Sequence, residues 1–85
     1  MPLHSHQFVE SYQGMVGFGF DRETDEHTVA FYLQKFSDDT LLGVIKKRLE
    51  DKELDAIFNL LSALLGKHLS EEEYHTLFLK DRRRE

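Results

Sequence analysis

The first residues of this chain hold its most specific arrangement of donor atoms. Methionine ahead of Pro2 is usually removed in cells, which leaves Pro2-Leu3-His4 at the N-terminus. An amine, two deprotonated amides and an imidazole in third place form a square-planar nitrogen set suited to Cu(II) or Ni(II), and His6 could add a ligand. The plain alternative is a solvated terminus whose histidines have no role. A second pattern, Glu72-x-x-His75, is half of a carboxylate-bridged di-iron motif. That motif needs two such pairs and a glutamate from each of two further helices. A symmetric dimer could double the pair, but the middle of the 51–66 segment offers no glutamate to complete it. Glu71, Glu72 and Glu73 are otherwise explained as acids at the positive end of a helix dipole. We therefore assign no metal or cofactor, and keep His4, His6, Glu72 and His75 as the ligands of an alternative metal- or small-molecule-binding reading.

Other matches fail on detail. Asp21-x-Glu23-x-Asp25 opens like a calcium loop, but position six is Glu26 where glycine is required, and position twelve is Tyr32 where glutamate is required. Gly14, Gly17 and Gly19 lack the following Gly-Lys-Ser/Thr of a phosphate-binding loop. Cysteine is absent, and no serine lies in a G-x-S-x-G context, so no catalytic residue is assigned. His27, His68 and His75 could act as general bases only if folding placed a carboxylate beside them.

Composition narrows the classes further. The net charge of −5 disfavours general affinity for nucleic acid, which rests on phosphate neutralisation by Lys and Arg. A helix-turn-helix reading of 51–80 fails for the same reason, because Glu71, Glu72 and Glu73 would face the phosphates. The N-terminus has no basic-then-apolar signal, and the apolar segment at 51–66 is too short to span a bilayer. We expect no membrane partner and a soluble cytoplasmic protein. With 85 residues and no disulfide, the chain is short of core, and dimerisation is one means of stabilising it.

The elements that would position these groups read as follows. Met15 to Phe20 alternates with period two, and Thr28 to Phe36 is rich in β-branched and aromatic residues, with Val29, Phe31 and Leu33 on one face. With Asp21 to His27 as a solvated connection, this predicts an antiparallel β-hairpin of strands at about 15–20 and 28–36. Residues 7–13 suit either an extension of the first strand back to residue 8 or a short helix between Ser5 and Gly14. Ser37, Asp38 and Asp39 start a helix at about 38–49 whose stripe is Leu41, Leu42, Ile45 and Leu49. Asp51 caps a second at about 52–65, closed by Gly66. Ser70 and Glu73 form a capping box, with Leu69 and Tyr74 as hydrophobic staple, for a third at about 71–80. The expected fold class is α+β: one domain over 1–85, a hairpin followed by three helices, with flexible tails at 1–6 and 81–85.

The 51–66 helix is unusual. Leu54, Ile57, Phe58, Leu61, Leu64 and Leu65 make one apolar face, and Leu60, Ala56 and Ala63 widen it to roughly 220° of the circumference. A surface helix needs one stripe. We expect Ile57, Phe58, Leu61 and Leu65 to meet the chain's own core, and Ala56, Leu60, Ala63 and Leu64 to meet a second copy. The functional expectation is a small non-enzymatic homodimer acting as an interaction or regulatory module.

Overall fold

The computed structural model describes residues 6–81, and these form helices joined by short connections, with no strand among the described residues. The chain divides into two compact units, Met1–Arg48 and Leu49–Glu85. The first contains α1 (Gln7–Ser11), α2 (Arg22–Phe36) and α3 (Asp39–Arg48). The second contains α4 (Asp51–His68) and α5 (Glu71–Glu73), which runs directly into a π-helical segment, Tyr74–Leu79.

The α+β expectation is overturned, and the residue that overturns it is Asp21. Read as part of a solvated tip, it is the N-cap of α2: its Oδ1 accepts the Thr24 N–H at 2.7 Å and its carbonyl accepts the Asp25 N–H at 2.9 Å. The hydrogen bonds from Thr24, its backbone N–H first, hold the Asp21 carboxyl below its ordinary pKa. Glu23 and Asp25 complement the dipole, and Arg22 pairs with Glu26 one turn on at 2.6 Å. The aromatic and β-branched residues of 28–36 are thus carried into a helix already nucleated upstream. Their period changes accordingly. Thr24, His27, Thr28, Phe31 and Gln34 turn inward, while Val29, Tyr32, Leu33 and Phe36 turn outward. Phe31 leaves the face it was expected to share with Val29 and Leu33.

The other expected strand, 15–20, is irregular backbone held against α2 by side chains. The Thr28 hydroxyl donates to the Gly17 carbonyl at 2.8 Å and accepts the Gly17 N–H at 3.0 Å. Asp25 Oδ1 accepts the Gly19 N–H at 2.8 Å. Both main-chain polar groups of Gly17 are therefore committed, and no ladder partner is needed to satisfy them. Gly19 has φ of 95°, a conformation costly to any residue with a Cβ. Thr28, at 4% exposure, is the only buried residue among those described.

Residues 7–11 take the helical alternative. Gln34 Oε1 satisfies the Val9 N–H in the first turn of α1 at 2.9 Å. His6 Nε2 meets Ser37 Oγ at 2.8 Å; the single hydroxyl hydrogen goes to Gln34 O, so the imidazole donates. Phe8 stacks on Tyr12 with centroids 4.9 Å apart, and the Tyr12 ring meets His27 edge-on at 5.1 Å. Asp38 Oδ2 then caps α3 by accepting from Thr40 N and Leu41 N, both at 3.1 Å. Leu42 and Ile45 of its predicted stripe are half-buried; Leu41 is exposed.

In the second unit the predicted helices are present with shifted ends. Glu50, not Asp51, precedes α4, with Glu53 Oε1 accepting the Glu50 N–H at 2.8 Å. Gly66 does not end α4, which continues through Lys67 and His68 and so places the Lys67 cation at the end where the dipole favours it. The Ser70–Glu73 capping box is formed in both directions, at 3.1 and 2.8 Å. Leu69 and Tyr74 line one shallow depression with Leu65. Tyr74 stacks on Phe78 at 5.3 Å, and the helical run stops at Lys80, whose φ of 55° is left-handed. Of the expected tails, His6 and Asp81 are described and hydrogen-bonded; the remainder lie outside the described residues.

Candidate functional site

The metal-binding alternatives are not brought together. His4 lies outside the described residues. His6 spends its Nε2 on Ser37. His75 Nδ1 pairs with Asp81 Oδ2 at 2.9 Å, so a carboxylate other than Glu72 holds the ring, while Glu72 is exposed. Among the described residues no three His, Cys, Asp or Glu side chains cluster closely enough to hold a metal ion. Two of the three acids of the calcium-like sequence serve as backbone acceptors, Asp21 for Thr24 and Asp25 for Gly19.

The four residues expected at a partner surface, Ala56, Leu60, Ala63 and Leu64, all lie on α4 and are all exposed. Leu60 retains 59% of its accessible surface and Leu64 44%. Helix geometry explains the grouping, because residues three, four and seven apart share a face. The face expected to meet the chain's own core is also open. Phe58 is 71% exposed, and Ile57 and Leu61 are exposed, while Leu65 is half-buried. No apolar side chain among the described residues is fully buried. Acidic residues mark the first turn of α4, Asp51 and Glu53, and basic residues the last, Lys67 and His68. The helix therefore presents an apolar middle between ends of opposite charge.

A second apolar surface was missed at the level of sequence. On the first unit, Val29, Tyr32 and Leu33 of α2 and the exposed Phe18 line an open groove of about 430 Å³, floored by Gly17 and Thr28. Its signal was available as the spacing 29, 32, 33, 36, one face at helical period, but it was hidden by the two-residue alternation assigned to the same segment.

No helix among the described residues is long and apolar enough to cross a membrane. Comparison with protein-family models, with curated proteins and with solved structures returned no match for this chain.

Proposed function

We propose that the chain is a homodimeric interaction or regulatory module that associates through α4. The observation that carries this reading is the exposure of Ile57, Phe58, Leu60, Leu61 and Leu64 along one helix. A contiguous apolar surface of this kind marks an interface in a soluble protein, because its hydration is unfavourable and burial removes it. The exposed alanines Ala56 and Ala63 would let a second helix approach closely. A two-fold pairing is self-complementary and closes without forming fibres.

The test is a dilution series in sedimentation equilibrium on the full chain. The expected result is a monomer–dimer equilibrium, with helicity and thermal midpoint that rise with concentration. A single monomeric species across the whole concentration range would overturn the reading.

A further inference from the structure

Residues of complementary chemistry are placed symmetrically along α4. At about 100° per residue, Glu53, Ala56, Leu60, Leu64 and Lys67 fall within an arc of roughly 80°. Their positions are symmetric about Leu60: Glu53 and Lys67 lie seven residues either side, and Ala56 and Leu64 lie four either side. We infer that two copies of α4 pair antiparallel, with Leu60 on the two-fold axis. This rests on the proposal that α4 is the self-association face, and adds the direction and register.

The geometry points to this register for three reasons. Antiparallel pairing about Leu60 sets Glu53 of each copy opposite Lys67 of the other, so each ion pair occurs twice. It sets a small residue against a large one in each flanking layer, Ala56 against Leu64 and Ile57 against Ala63, as close packing of helices requires. It also runs the two helix dipoles in opposite directions. A parallel pair in register would place Glu53 against Glu53 and Lys67 against Lys67, repelling at both ends. The charged groups are available. Glu53 accepts the Glu50 N–H through Oε1, which leaves Oε2 for a lysine, and Lys67 forms no ion pair among the described residues.

The chain has no cysteine, so single introduced cysteines report the register directly. A short bismaleimide should cross-link Leu60→Cys to itself, and should join Glu53→Cys to Lys67→Cys in a mixture of the two. Neither terminal variant should cross-link to itself. Self-linking of Glu53→Cys as efficient as that of Leu60→Cys overturns the antiparallel arrangement. A dimer by sedimentation with no Leu60→Cys product overturns the register while leaving self-association standing. Absence of any dimer by sedimentation removes the underlying proposal instead.

Charge provides an independent readout. Glu53→Gln keeps a capping-box residue and removes the charge, so helicity should hold while Kd rises by roughly two- to fivefold at low salt. Glu53→Lys and Lys67→Glu should each weaken association further, and their combination should recover most of that loss. The differences should shrink at high ionic strength. No recovery in the double variant, with helicity intact, counts against the pairing.

Discussion

Leu60→Ala separates association from folding more cleanly than any other change on α4. Alanine is at least as good a helix former as leucine, so the substitution leaves the local propensity of α4 intact. The leucine is 59% exposed in the single chain, and its side chain therefore contributes little to the stability of the second unit. Its value lies in the surface still to be covered. Full burial of a leucine is worth about 1.5–3 kcal/mol, so covering the exposed 59% is worth roughly 1–2 kcal/mol per chain. Alanine retains part of that area, and two copies lose the remainder. The expected weakening is about 1.5–3 kcal/mol per dimer, or roughly ten- to hundredfold in Kd. Sedimentation equilibrium across the transition measures it, with far-ultraviolet circular dichroism at high concentration to confirm that α4 is retained. Leu65→Ala is the control, since Leu65 is half-buried beside Leu69 and Tyr74 and should lower the thermal midpoint of the unit itself. A Kd within about threefold of the parent for Leu60→Ala, with helicity preserved, would refute the reasoning, because it would mean that Leu60 stays in water in the associated state.

Three further predictions concern the frame that carries this surface. Gly66→Ala should stabilise α4 by roughly 0.5–1 kcal/mol, since the position is helical and an added Cβ meets open space, whereas Gly19→Ala should destabilise the first unit because its φ is positive; thermal melts of the two variants should move in opposite directions. Thr28→Val should cost about 1–3 kcal/mol by stripping both partners from Gly17, with Thr28→Ser milder, as read by chemical denaturation. The Asp21 carboxyl is held below its ordinary value by the Thr24 bonds, so its contribution to α2 is complete above the ordinary carboxylate pKa and is lost as pH falls through the lowered one. Asp21→Asn keeps a capping oxygen without titrating, and its acid unfolding curve should be shallower than the parent's in that window.

The helices after Ser37 were legible because their signals are local. Asp38 and the Ser70–Glu73 box act on amides two or three residues away, and composition alone reveals them. The errors there follow from reading residues as stops. Gly66 is a poor helix former, but the Lys67 cation in the last turn and the next cap at Ser70 let α4 pass through it. The first unit was misread because two signals competed over one segment. Thr28 to Phe36 has strand-like composition, yet Asp21 begins a helix seven residues earlier, and a started helix propagates at low cost. Thr28 then forms a pairing that no propensity scale contains, taking up the backbone of Gly17 and removing the ladder that a hairpin would need. The apolar arc of α4 could be read from sequence because helical period and residue type define it, but the exposure of Ile57, Phe58 and Leu61, expected in the core, could not. Of the groove beside Phe18, only the α2 wall was legible, as the helical spacing of Val29, Tyr32 and Leu33; the other wall comes from a segment whose approach depends on side-chain bonds from Thr28 and Asp25.

The lack of any fully buried apolar side chain among the described residues has a thermodynamic consequence. Heat capacity of unfolding follows newly hydrated apolar surface, and an isolated chain whose apolar residues are at most half-buried has less left to expose than one with a packed core. Its melting would be broad and its stability curve shallow, with weak dependence on cooling. Pairing through α4 would transfer the heat-capacity change to association, where burial of the leucines makes it negative. The steep, temperature-sensitive step in the life of this protein would then be the meeting of two chains, and concentration would set its sharpness as much as sequence does.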